Sequence, residues 1–337
     1  MSTVMPSAAA SAALSTAPSH ADSALWASCR RTLDRLLEAA QAGLVPATVW
    51  AAVEHLETWR RSRPERWREL VAEVCRTHPF WALMQQCPMT ARASTKPRGY
   101  AGDAVMLDYI YDRRLPVAEP LKPQAEMVFR TLVECSVCGS VDYRRHVIAE
   151  LVDRVAAERA AAGAGPVDVL SLACGHAREL DLMKSVGNGG VRRFVACDQD
   201  PESLATLAQR HAGGPVQTQP LAVRDFIAGR EAVSALGSFD VVYSAGLYDY
   251  LDQRLATRLT AALFERVAPG GELLLANFHV HNRGVGFMEA MMDWWLVYRD
   301  DAQMRGLADD IDGAQIAGAE LFHDPFGNVV YLRLTRR

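Results

Sequence analysis

The chain has 337 residues, 50% of them hydrophobic, and a formal net charge of −4. That is enough for a large core and, at roughly 150 residues per domain, points to a large domain with a smaller companion. The mild acidity argues against a nucleic-acid partner, which leaves a basic footprint, and no apolar run reaches the 18 or so residues of a membrane span.

Residues 1–24 are rich in Ala, Ser and Pro and lack the basic start and leucine-rich stretch of a secretory signal, so they read as a disordered tail. Residues 25–160 read as a helical region. Leu33, Leu36, Leu37 and Ala40 fall on one helical face, and Pro46 can open a helix carrying Val49, Val53 and Leu56. Arginines 60, 61, 63, 66 and 68 alternate with Trp59, Trp67 and three glutamates, the texture of a solvated helix face. Between 88 and 116, Pro97, Gly99 and Gly102 break regular helix; a second helical stretch over 124–160 ends in the Ala/Gly run 160–166, the expected domain junction. Seven scattered cysteines, mostly in apolar surroundings, suggest a reducing cytoplasm. Cys135-x-x-Cys138 has no second metal-ligand pair and reads as two buried thiols.

From 166 to 337 strands alternate with helices. Strands are expected near 167–173, 193–198, 216–221, 239–244 and 271–278, with helices near 177–186, 201–211, 225–235 and 254–268. This is an α/β, Rossmann-like doubly wound sheet, closed by a C-terminal hairpin around Pro325 and Gly327 at the sheet edge. The first strand runs into Ala173-Cys-Gly-His-Ala177, and a carboxylate, Asp198, closes the second strand some 20 residues on, where doubly wound folds grip a ribose diol. The turn holds one glycine between alanines. A pyrophosphate needs closer backbone approach than that, so a nucleoside without phosphates, S-adenosylmethionine (SAM), suits it better than NAD. Asp225 follows the third strand, placed to meet an adenine amino group. The fourth strand opens into Ser244-Ala-Gly-Leu-Tyr-Asp-Tyr250.

The order of these segments, with Val267-Ala-Pro-Gly-Gly-Glu-Leu-Leu-Leu275 feeding the fifth strand, resembles class I SAM-dependent methyltransferases over roughly residues 165–337. The resemblance implies that Ala173 and Gly175 approach the methionine part of SAM, Asp198 with Gln199 the ribose, and Asp225 the adenine. The backbone of Ser244, Ala245 and Gly246 would line the floor. Ser171 stands where the family carries its first acid. Lys96-Pro-Arg-Gly-Tyr-Ala-Gly-Asp103, Gly246–Leu251 and Met292–Arg299 further resemble a bacterial subfamily that makes 3-hydroxypalmitic acid methyl ester and includes azetidine-2-carboxylate synthases.

A sulfonium is a cation whose natural partners are aromatic faces. Tyr100, Tyr109, Tyr111, Tyr248 and Tyr250 are candidates for that wall, Arg98 or Lys96 for a carboxylate clamp, and Asp103 for the SAM ammonium. Asn277, Trp295 and Tyr298 are candidate substrate contacts, Trp294 and Trp295 lying in a helix-like stretch with Met288, Met291 and Met292 that suits an acyl pocket or plain core. His176 is either a cap or a general base. His279 and His281, with no acid nearby in sequence, predict no metal. Three readings stand: methyl transfer to a small or fatty-acyl carboxylate, cyclisation of SAM with release of methylthioadenosine through a proton acceptor such as Asp103, Asp249 or a tyrosine, and a SAM-binding module without turnover.

Overall fold

Proline opens much of the helical half of this fold, because a first-turn residue has no intrahelical partner for the N–H that proline lacks. In the computed structural model, which describes residues 20–115 and 121–337, it does so in the helices Val45–Ser62, Pro79–Met84, Pro88–Thr95 and Pro123–Val133. The helices His20–Gln41, Ala104–Asp112 and Ser136–Ala161, with the short turns Pro64–Arg66, Trp67–Leu70 and Val71–Cys75, make up the rest of that half. Residues 1–19 of the expected tail lie outside the described residues, whereas 20–24 already belong to the first helix. Of the expected apolar face, Leu33, Leu36, Ala40, Val49 and Leu56 are buried, and Leu37 and Val53 are half-buried against the same core.

Among the described residues the seven strands are β1 Val167–Leu172, β2 Val191–Cys197, β3 Val216–Gln219, β4 Phe239–Ser244, β5 Val267–Phe278, β6 Ile316–His323 and β7 Val329–Arg336. They pair in the order β3-β2-β1-β4-β5-β7-β6. The first five are parallel; β7 enters antiparallel to β5, and β6 forms the hairpin edge. Side chains alternate across the sheet with period two. Val169, Val241, Tyr243, Leu274 and Tyr331 face the core shared with the helical half, and Leu170, Val242, Leu273 and Leu275 face a second core under the helix Gln253–Phe264. The helical half therefore shares one continuous core with the sheet, and the exposed residues 162–166 link the helix Ser136–Ala161 to β1.

Several local expectations change. The helix expected over 177–186 is only the 3-10 turn Arg178–Asp181 and the short turn Lys184–Gly187. Gly175 and Ala177 have left-handed φ of 52° and 43°, which delays the start. The Asp153 carboxylate then accepts the N–H groups of Lys184 and Ser185 at 3.1 and 2.8 Å and begins a fresh turn. The helix expected over 225–235 divides at Gly229, φ 58°, into Val223–Ile227 and Glu231–Ser234. The helix Val285–Met291 ends before Trp294 and Trp295, because Asp293 turns left-handed (φ 49°) and the chain runs on extended. The arginine cluster is not a solvated face throughout. Arg60 and Arg61 pair with buried Glu57, Arg66 with Glu69, and Arg68 lies 4.1 Å over the Trp295 ring.

Candidate active site

The loops after β1, β2 and β4 meet at the carboxyl end of the sheet, where open α/β folds bind ligands. Asp198 is the pivot. Its Oδ2 accepts the Gly175 N–H at 2.8 Å and its Oδ1 the Asp200 N–H at 2.9 Å. Burial raises its pKa above the usual carboxylate value, while those N–H groups oppose the rise. Each oxygen keeps a second lone pair for a further donor. Ala173 takes the left-handed φ of 56° that a glycine usually supplies, so the turn reaches its shape in spite of the alanine.

The segment 96–104 folds over this turn. A Cβ on Gly175 would sit 3.3 Å from that of Ala104. Tyr100 packs edge-on against Tyr250, centroids 6.1 Å apart, and burial together with the charges of Asp198 and Asp200 raises its hydroxyl pKa. Tyr250 accepts Trp294 Nε1–H at 2.9 Å, and Gly102 leaves no room for a Cβ beside Trp294. Two side chains, Arg98 and Asp108, fasten the segment and the helix behind it. Arg98 donates to Asp200 at 2.8 Å, Ser203 at 3.0 Å and Glu202 at 3.0 Å. Asp108 lies 2.7 Å from His176 Nδ1 and accepts from Arg178 at 2.9 Å. His176 is buried, and its Nε2 has no partner among the described residues.

A second cluster lies beyond β4. Arg144, 5% exposed, donates to Ala245 O at 2.6 Å and lies 3.5 Å from where a Cβ on Gly246 would stand. Tyr111 and Asp249 are its electrostatic neighbours. Tyr111 also lies under Arg145, 4.1 Å from ring centroid to guanidinium. Burial pushes the Asp249 carboxyl up to about 7, against the Phe278 N–H and the Arg144 and Arg299 charges that hold it down. Tyr243 donates to Glu179 at 2.5 Å in the same region, where burial raises the Glu179 pKa.

Other expected site residues are engaged elsewhere. Asp103 does not offer itself to an ammonium: it caps the helix Ala104–Asp112 through the Met106 N–H at 2.9 Å and takes Arg92 at 2.8 Å, with Tyr109 beside that arginine. Arg98 and Lys96 are not free clamps, Lys96 being bound to Asp293 at 2.7 Å. Tyr248 points to the opposite core, its hydroxyl 3.0 Å from Thr260. Asn277 is saturated by Phe278 O, Val297 O and Arg299. Trp295 donates to Asp293 at 2.7 Å, and Tyr298, near Glu289 and Arg60, keeps a buried hydroxyl without a partner among the described residues. Asp225 caps its own turn through Ala222 N–H at 2.9 Å and pairs with Arg230 at 3.0 Å. Gln199 is exposed, and Ser244 is buried, donating to Leu172 O at 3.0 Å. All seven cysteines, Cys135 and Cys138 included, are free thiols.

Arg144 is the site residue that motif reading missed. The available signal was a charge on the apolar stripe Val141, Ile148, Val152 and Val155 of a long helix, all four of which are buried.

An apolar cavity of about 230 Å³ adjoins the crevice through Trp294. Met89, Met106, Ile110, Val141, Met288 and Met292 line it, with Glu54 and Arg283 among its few charged neighbours.

No family profile matches the chain, and no curated protein is similar to it. Solved structures are similar in fold. A possible exported protein from Bordetella parapertussis aligns with TM-score 0.53 and 17% identity, over 69% of this chain and 79% of that one. Magnesium protoporphyrin IX methyltransferase from Synechocystis, with bound S-adenosylhomocysteine, aligns at 0.42 and 15%, over 70% and 100%. N-methyltransferase NodS from Bradyrhizobium japonicum aligns at 0.39 and 12%, over 58% and 97%. The fold is a Rossmann-like α/β sheet, five parallel strands extended at one edge by an antiparallel pair. At these identities the likeness is one of fold alone. Among the described residues no helix is long and apolar enough to cross a membrane.

The raised Asp249 pKa carries a stability prediction. Below about pH 4 both folded and unfolded states are protonated; as pH rises to about 7 only the unfolded state ionises this carboxyl, so stability falls across that window and levels off above it. Asp249→Asn removes the effect. Between about pH 5 and pH 8 the wild type should lose roughly 2–3 kcal/mol more than the variant, at about 1.36 kcal/mol per pK unit. Urea unfolding of both proteins at the two pH values measures the difference; parallel behaviour would show that this carboxylate is already ionised when folded.

Proposed function

We propose that the chain is a SAM-dependent methyltransferase that esterifies an acyl carboxylate. The observation supporting this reading most is Asp198, a buried carboxylate at the tip of β2 bound to the Gly175 turn, with one lone pair per oxygen left for a ribose diol. The residues fit the nucleoside in two further ways. Tyr100 and Tyr250 offer aromatic surface rather than donors, as a sulfonium requires. The backbone at Ala173, Gly175, Ala245 and Gly246 bounds the crevice without bulk. When bound, SAM supplies a methyl group made electrophilic by its sulfonium.

The chain's own contribution is positioning. Arg144 replaces Arg98 as the carboxylate clamp in this reading. A guanidinium stays charged when buried and presents several donors in a fixed fork. A carboxylate is ionised near neutral pH and needs no base, which suits a site whose acids are engaged as caps or buried in pairs. The fastened segment 96–104 excludes water, and alignment of acceptor with methyl supplies the acceleration.

The cavity favours an acyl acceptor over cyclisation of SAM, which needs no such space. Engineered cavities of about 150 Å³ with comparable linings stay dry and take up benzene-sized ligands, and this one is larger and ends at Trp294 beside Tyr250. We place the enzyme in the cytoplasm, a reading supported by its unpaired thiols.

Incubation with SAM and a series of acyl carboxylates, followed by mass spectrometry, tests the reading. S-adenosylhomocysteine together with a methyl ester is expected. Methylthioadenosine formed from SAM alone would replace the proposal with cyclisation. Met288→Trp, which fills the cavity, should lower kcat/KM for the longest acceptors about tenfold or more, since overpacking costs about 1–3 kcal/mol, while leaving S-adenosylhomocysteine affinity unchanged. Equal losses for short and long acceptors would show that the cavity is not their site.

A further inference from the structure

His279 follows β5, His323 ends β6, and Asp301 opens the turn of helix Asp301–Arg305. Sequence spacing gave His279 and His281 no acidic companion; the fold supplies one. Ligand atoms of His279, Asp301 and His323 all lie within 4.8 Å of one another. Asp301 Oδ1 is 2.9 Å from His323 Nε2 and 3.4 Å from His279 Nε2. The His281 N–H approaches His279 Nδ1 at 3.4 Å from behind, which leaves Nε2 as the forward-facing nitrogen.

We propose that His279, Asp301 and His323 form a binding site for a divalent transition metal of the zinc class. Tetrahedral zinc bonds of about 2.0–2.2 Å to nitrogen and oxygen set donor atoms about 3.3 Å apart. The two Asp301–histidine distances, 2.9 and 3.4 Å, bracket that separation, and the two imidazoles lie no more than 4.8 Å apart, within reach of a shared metal. Two imidazoles and one carboxylate suit zinc, cobalt, nickel or copper, whereas magnesium and calcium take all-oxygen sets. Three protein ligands leave a fourth position, and it is open to water: His279 is buried, but the Asp301 and His323 side chains are 48% and 36% exposed.

The backbone holds all three ligands in place beforehand. Val329 and Val330, adjacent on β7, pair with Phe278 and His323, and the His279 N–H donates to Asn328 O at 2.7 Å. Asp300 and Gln303 exchange side-chain bonds with each other's backbone N–H at 2.8 and 3.0 Å, fixing the turn that presents Asp301. A metal there would tie the β6–β7 hairpin to the end of β5. That end matters to the crevice, since the neighbouring Phe278 N–H is the donor to Asp249 at 2.7 Å. The role is structural, and the inference stands independently of the methyl-transfer reading.

Full-length protein without an affinity tag, stripped with chelator and titrated with Zn²⁺ or Co²⁺ alone, tests it. One equivalent should bind, with a rise in Tm and, for Co²⁺, the intense visible bands of a four-coordinate site without a thiolate charge-transfer band. His323→Ala and Asp301→Ala, both at solvent-accessible positions, should each weaken binding by at least the 10–100-fold that loss of an outer-shell partner alone costs. Cys135→Ser/Cys138→Ser should bind as the wild type does. Overturning results are no binding, binding unchanged in His323→Ala and Asp301→Ala, or a thiolate band abolished in the double serine variant.

Discussion

Asp198→Ala is expected to lower affinity for S-adenosylhomocysteine by at least a hundredfold while leaving the protein folded. The carboxylate accepts one backbone N–H on each oxygen and has one further acceptor site on each, matched to two ribose hydroxyls. Hydrogen bonds to a charged group contribute about 1.5–3 kcal/mol each. Two of them amount to roughly 3–6 kcal/mol, a hundredfold to beyond ten-thousandfold at about 1.4 kcal/mol per decade. Alanine also releases the Gly175 N–H that shapes the turn after β1. Asp198→Asn keeps one acceptor oxygen and should fall between wild type and alanine. Calorimetric titration of the three proteins, each checked by circular dichroism, measures the order. Equal affinities would remove Asp198 from the ribose site.

Gly286→Ala is expected to be the most damaging single-methyl change in the chain. Glycine sits inside the helix Val285–Met291, where alanine is intrinsically favoured by about 1 kcal/mol. The added Cβ, however, would lie 2.5 Å from the Leu56 carbonyl carbon, 2.6 Å from the Glu57 nitrogen and 2.7 Å from the Leu56 oxygen. These are backbone atoms of the helix Val45–Ser62, which cannot swing aside as a side chain can. The same contact carries the Gly286 N–H to Glu57 bond of 3.0 Å, and nearby Trp67 Nε1–H donates to Glu289 at 2.6 Å, so separating the helices uncouples a buried polar network. Overpacking costs about 1–3 kcal/mol and more where backbone must move; a loss at or above the top of that range is expected in urea unfolding. Gly284→Ala is the comparison. Its Cβ would meet Val137 Cγ2 at 2.6 Å, the end of a side chain, and it should cost distinctly less. Similar losses at the two glycines would mean that the helix seam is looser than drawn.

Most of the sheet was legible because burial on both faces makes strands read as apolar runs bounded by turns. β1, β2, β4 and β5 fall close to the expected positions, and the C-terminal hairpin lies at the edge, with β7 inserted against β5. The helices after β1 and β3 were overestimated because propensity cannot see the left-handed residues 177 and 229 or the Asp153 carboxylate arriving from another helix. The turn carrying Gly175 and Asp198 was readable from spacing alone. The partners of Asp103, Asn277 and Tyr248 were not: side-chain chemistry alone suits each to a ligand, and the fold engages that chemistry with Arg92, Arg299 or Thr260 instead. Arg144 and the set His279, Asp301 and His323 went unseen for the complementary reason, since their members converge from elements far apart in sequence.

Methyl transfer by this chain requires a nucleoside sulfonium seated above β1 and β2. Isothermal titration of SAM and S-adenosylhomocysteine into the purified full-length chain measures that directly. Saturable heat at one ligand per chain, abolished in Asp198→Ala, is the predicted result; absence of heat with both ligands, or heat unaltered by the substitution, contradicts it.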